Sequence, residues 1–120
     1  MRLPALLLSL LPTATFAIQA EPPRYLELVN HAQQSLVSLQ VAAHGEAAYS
    51  PLLLEGPLRG GGESQIVPLQ TQACRCDLRF GFADGRVMRY ENVNVCRYGK
   101  VRIRPLGAGT EDTEYVVRMK

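Results

Sequence analysis

Short runs of the chain place apolar residues at every second position, and turn residues separate the runs. Val37, Leu39 and Val41 alternate with Ser38 and Gln40, and Val101 and Ile103 alternate with Arg102 and Arg104. A period of two predicts half-buried strands rather than helices. The runs are Tyr25 to Asn30, Ser35 to Ala43, Ile66 to Gln70, Arg75 to Phe82, Arg86 to Val95, Val101 to Arg104 and Tyr115 to Met119. Pro68 cannot donate to a ladder, which places the third run at an edge or a bulge. Ala47 to Leu58 reads as a loop, because Pro51, Gly56 and Pro57 cut it into pieces too short for a helix. Leu52, Leu53 and Leu54 are expected to tuck over one end of the core. The pattern predicts an all-β fold, a small two-layer antiparallel sandwich of about six to seven short strands, since each half-buried strand needs a second sheet over its apolar face.

The first residues follow a different rule. Arg2 supplies a positive start, Leu3 to Leu11 an apolar stretch of about nine residues, and Pro12 and Thr13 a break before small side chains. This is the three-part pattern of a signal peptide, residues 1–17, with cleavage after Ala17 and, as second choice, after Ala20. A spanning helix needs about 20 apolar residues, so no membrane anchor is expected once the signal is removed. Residues 18–24 then form a short lead and residues 25–120 a single domain, periplasmic or secreted.

Composition narrows the picture. The whole chain has 120 residues, 13 Lys and Arg against 11 Asp and Glu, and 47% hydrophobic residues. That is too small for a two-domain enzyme and too balanced for a highly basic nucleic-acid binder. The leader inflates the hydrophobic total, so the mature domain has a lean core and gains from a crosslink.

Three cysteines, Cys74, Cys76 and Cys96, lie in a compartment where disulfides persist, and the odd number leaves one thiol over. If Phe82 and Arg86 flank a three-residue hairpin loop, Leu78, Phe80 and Phe82 share a face with Met88 and Tyr90. In that register all three cysteines fall on the same face, with Cys74 opposite Asn94 and Cys76 opposite Asn92. A longer loop that moves the pairing by two residues brings Cys74 directly opposite Cys96, whereas an odd shift puts the two on opposite faces. Both registers favour a Cys74–Cys96 bridge and leave Cys76 as the free thiol.

These residues carry a resemblance. Cys74 to Arg79 (Cys-x-x-Asp-Leu-Arg), Phe82-Ala83-Asp84-Gly85 and Val93-Asn94-Val95-Cys96, with Leu28-Val29-Asn30 upstream, resemble a family of small exported bacterial proteins of no assigned activity. The family often has Trp-Gly where this chain has Ala48-Tyr49-Ser50, and Asp before the final Leu-Cys where this chain has Asn94-Val95. The resemblance implies a periplasmic sandwich and carries no catalytic residues with it.

The remaining constellations favour structure over chemistry. Cys74-Arg75-Cys76 lacks the Cys-x-x-Cys spacing at a helix start that gives redox chemistry a mechanism. His31 and His44 read as loop residues at opposite ends of a hairpin. Asp77 between Arg75 and Arg79, and Glu91 beside Arg89, read as charge pairs on a solvated face. Gly60-Gly61-Gly62 lacks the Lys and Ser or Thr of a phosphate loop and reads as a flexible turn. The one charge bias is Arg97, Lys100, Arg102 and Arg104, a candidate basic contact surface that Glu111, Asp112 and Glu114 could neutralise.

The expectation is a non-catalytic binding or accessory module whose partner is a protein or envelope component, with no cofactor, metal or nucleic acid. The competing reading is a thiol-based redox or soft-metal (copper or zinc) handling protein using Cys74, Cys76 and Cys96.

Overall fold

The computed structural model describes residues 2–5, 8–14, 24–105 and 114–119, with backbone only at 114 and 115. Both candidate cleavage sites, and the side chains of Glu111, Asp112 and Glu114, lie outside the described residues. Eight strands form among the described residues: β1 (Arg24–Asn30), β2 (Leu36–Ala43), β3 (Ser50–Leu52), β4 (Glu63–Leu69), β5 (Arg75–Phe82), β6 (Val87–Asn94), β7 (Lys100–Ile103) and β8 (Glu114–Arg118). They make two sheets, a three-stranded one in the order β4-β1-β7 and a five-stranded one in the order β3-β2-β5-β6-β8. The fold is an all-β sandwich.

The period-two pattern builds the core directly. Leu26 and Leu28, Val67 and Leu69, and Val101 and Ile103 point inward from the small sheet. Leu39 and Val41, Leu78 and Phe80, and Met88 and Tyr90 meet them from the large one. Phe80 and Tyr90 touch edge to face at 5.2 Å between ring centroids, the arrangement that the ring quadrupoles favour. Pro68 sits on edge strand β4, opposite Tyr25, as expected.

Several details depart from the sequence reading. The pairings β1 with β7 and β6 with β8 are parallel, because the chain crosses between sheets after β6 and again after β7 instead of turning back as hairpins. The segment expected to be only a loop contains β3, which pairs antiparallel with β2; Pro51 is tolerated because β3 is an edge. Of the three leucines there, Leu52 joins the core and Leu54 packs against it, but Leu53 is 85% exposed. The register of β2 shifts between Leu36 and Ser38. That bulge sends Leu36 inward and leaves Val37 outward and exposed.

The glycine triplet is a turn, but a held one. Gly61 N–H donates to the Ala32 carbonyl and Gly62 N–H to that of Asn30. Asn30 is fully buried; its amide donates to the Gln34 and Leu58 carbonyls at 2.9 Å, and its oxygen accepts from Ala32 N–H at 3.0 Å. Every polar group of that side chain therefore has a partner, as burial requires.

Candidate functional site

The basic residues gather along β7 and the turn before it. Lys100 and Arg102 face outward while Val101 and Ile103 enter the core. Arg97 stacks over the Tyr98 ring at 5.5 Å, and its backbone N–H donates to Asn94 Oδ1 at 3.1 Å. Lys100 Nζ lies 3.6 Å from Glu27 Oε2 on the neighbouring strand, so its charge is shared. Among the described residues, no carboxylate pairs with Arg97, Arg102 or Arg104.

Tyr90 fixes this strand from inside the sandwich. Its hydroxyl donates to the Arg102 carbonyl at 3.2 Å and accepts the Arg104 N–H at 2.8 Å. One buried side chain of the large sheet thus stands in for a strand neighbour along the free side of β7. Water and strand-seeking segments meet less open backbone there.

Beside β7, where the two sheets part, lies a cleft of about 330 Å³. Arg75, Lys100 and Arg102 line it with Asn92 and Asn94, over apolar surface from Val93, Val101 and Met119, and Tyr98 lies at the same opening. Among the described residues, no acidic side chain lines it. A depression of similar size, about 320 Å³ between Val41 and Thr71, holds Glu46 and, among the described residues, no cation. The β7 cations are legible in the sequence as one basic run, whereas Arg75 reaches the cleft from β5. The signal was its place opposite Asn94, visible only once the register is known.

The cysteines separate into two environments. Cys74 and Cys96 form a disulfide, S–S 2.09 Å and Cα to Cα 5.0 Å, and both are exposed. The expected hairpin register holds from Gly81 opposite Val87 to Leu78 opposite Tyr90, then shifts by one residue to put Cys76 opposite Val93 and Arg75 opposite Asn94. Cys74 accordingly faces Val95, whose N–H donates to the Cys74 carbonyl at 2.8 Å, and the bridge closes in the turn just past the end of β6. The register at that end thus falls between the two expected from the sequence, and the three cysteines do not share a face.

Cys76 is fully buried in the core cluster and is the free cysteine. Its thiol contacts the Ala73 carbonyl at 3.5 Å. Burial pushes its pKa up, against the Arg24 guanidinium, which favours the thiolate. Arg24 reaches the bridge as well, donating to Cys96 Sγ at 2.9 Å and to the Thr71 carbonyl.

The register shift explains a residue misjudged from sequence. Asp77 is 7% exposed and does not face solvent between Arg75 and Arg79. Its carboxylate is 2.8 Å from His44 Nδ1 and accepts the Asn92 N–H at 2.8 Å. Asn92 adopts a positive φ of 60° at the bulge, and its amide donates to the Met119 carbonyl. His44 therefore serves the β5–β6 bulge, whereas the ring of exposed His31 lies beside Gly62, where a Cβ added to that glycine would stand 3.9 Å from it. Glu91 meets its expected partner Arg89 at 3.0 Å, and Arg118 at 3.2 Å. Asp84 pairs with Arg86 at 2.6 Å in the hairpin turn, and the Arg86 N–H with its guanidinium holds that carboxyl below its usual range.

No family model matches the chain, and no curated protein matches it. Among solved structures, the chain is similar to the NMR structure of a protein from Eubacterium rectale, at 12% identity and a TM-score of 0.49, over 84% of this chain and 91% of that one.

Proposed function

We propose that this protein is an exported, non-catalytic binding module of the bacterial envelope that meets its partner through the basic surface of β7 and the turn before it. The observation that carries the reading is the exposed set Arg97, Arg102 and Arg104, without a described carboxylate partner, on a strand held rigid by Tyr90. A fixed stripe of cations attracts acidic groups and raises their encounter rate. The bridge fits an oxidising compartment. Leu3, Leu8, Leu10 and Leu11 are each more than 80% exposed and take no part in the core, which fits a segment meant for removal. The Cys74–Cys96 hairpin resembles that of small exported bacterial proteins.

Thiol or metal chemistry would need free sulfurs. Here two are joined and the third is buried with its thiolate disfavoured. The test is a photo-crosslinking amino acid placed at Arg104, and separately at Tyr25 on the neighbouring strand β1 of the same sheet, in intact cells. A discrete adduct from Arg104 is expected, lost when Arg97 and Arg102 are reversed to Glu. Adducts from neither position would overturn the reading.

A further inference from the structure

We infer that the cleft beside β7 is a binding site for a small organic carboxylate carried on an apolar body. The inference rests on the binding-module reading and names the ligand class of its basic face. Three features support it.

The charge is one-sided: Arg75, Lys100 and Arg102 line the cleft with no carboxylate among the described lining residues. The Lys100 charge is shared with Glu27, so Arg75 and Arg102 carry most of the attraction. Guanidinium groups match a carboxylate better than an ammonium does, through paired N–H donors in a plane.

The floor is apolar. Val93 and Val101 are buried core residues that reach the cleft wall, and Met119 packs against the same cluster. A simple inorganic anion leaves that surface wet, whereas a hydrocarbon or aromatic body covers it, at about 25 cal/mol per Å² removed from water.

The walls are fixed before any ligand arrives. Tyr90 ties β7 through Arg102 and Arg104, and Asn92 is tied to Asp77 on one side and to Met119 on the other. Asn94 accepts the Arg97 N–H, which sets the turn carrying Tyr98. A prearranged cleft of about 330 Å³ falls within the size of small-molecule sites and spares the ligand the ordering cost. The Tyr90 hydroxyl occupies backbone groups that an added strand would need, which favours a compact ligand over an extended peptide.

The test is an NMR titration of the oxidised mature chain with phenylacetate, phenylacetamide and inorganic phosphate. Phenylacetate is expected to shift the amides of Val93, Tyr98 and Val101, at least tenfold more tightly than either other probe. Arg75→Glu with Arg102→Glu is expected to abolish the shifts while the remaining spectrum stays folded. Arg102→Lys is expected to weaken binding several-fold. No shifts with phenylacetate, or equal binding of the neutral amide or of phosphate, would overturn the inference. If the Arg104 crosslink in cells persists in that case, only the cleft assignment falls; if it is absent too, the binding-module reading falls with it.

Discussion

The Asp77 carboxylate and the Asn92 N–H lie 2.8 Å apart across the β5–β6 bulge, and this contact fills the place where the ladder breaks. The extra residue of a bulge leaves a backbone donor without a strand partner, and the buried carboxylate supplies the acceptor. Asp77→Ala removes that acceptor, so a loss of about 1–3 kcal/mol is expected. Equilibrium urea unfolding near neutral pH checks it, and an unchanged midpoint would refute it.

The same carboxyl sets an acid limb. Burial alone would raise it, but the Asn92 N–H, the His44 ring and the Gly45 N–H outweigh burial and hold it below its ordinary range. Because folding depresses the carboxyl, its contribution is fully present above the unfolded value of about 3.9 and is lost as pH falls through the lower folded value. Stability should therefore drop below about pH 4. Asp77→Asn is expected to be less stable near neutral pH and to fall less steeply in acid. Parallel curves for the two proteins would show that Asp77 does not set this limb.

The bridge and the free thiol should behave differently. Cys74 and Cys96 are 22 residues apart, and closing a loop of that length is worth about 3 kcal/mol in the chain-entropy model. Cys96→Ser is expected to lower the melting temperature markedly. Cys76 lies wholly in the core, so Cys76→Ser also places a hydroxyl where an apolar sulfur packs; Cys76→Ala is the cleaner comparison, at about 1 kcal/mol. Native protein should leave Cys76 unreactive towards a thiol reagent until it unfolds. Fast labelling of the native fold, or a larger loss from Cys76→Ala than from Cys96→Ser, would contradict this assignment.

Two glycines separate steric need from conformational need. A Cβ at Gly60 would stand 2.1 Å from the Ala32 carbonyl oxygen, while one at Gly85 would meet nothing, although Gly85 has a φ of +87°. Gly85→Ala is expected to cost only the left-handed strain, about 1 kcal/mol. Gly60→Ala must move backbone and should reach about 3 kcal/mol. Thermal melts of the two variants decide the order, and equal losses would be inconsistent with a clash at Gly60.

Much of this was readable before the fold was known, and the misses share a cause. Alternation picks out seven of the eight described strands because inward residues such as Leu78 and Phe80 obey the period of two. It missed β3, where Pro51 and a length of three residues leave no period to detect. It misplaced Val37, Asp77 and the exposed cysteines because each lies at or beyond a bulge, and a one-residue shift reverses every side chain after it. The Cys74–Cys96 pair was found nevertheless, since the two cysteines sit at the paired ends of one hairpin and a one-residue shift still leaves them side by side. The β7 cations were legible along one strand. Their meeting with Arg75 was not, because it depends on a contact between sheets that no local pattern encodes.

Tyr90 is the residue where that contact is most open to measurement. Phe in its place keeps the ring that meets Phe80 edge to face and removes only the hydroxyl shared by Arg102 and Arg104. The two backbone groups lie at the rim of the sheet, where water can replace part of what is lost, so Tyr90→Phe is expected to cost about 1–2 kcal/mol rather than a full buried penalty. The consequence should be local. Hydrogen exchange at the Arg104 amide should accelerate, while the Ile103 amide within β7 keeps its protection. If phenylacetate binding weakens in the same variant with Arg75 and Arg102 intact, the hydroxyl holds the cleft wall in place as well as the strand. Unchanged exchange at Arg104 would mean that β7 is fixed by its pairing with β1 alone.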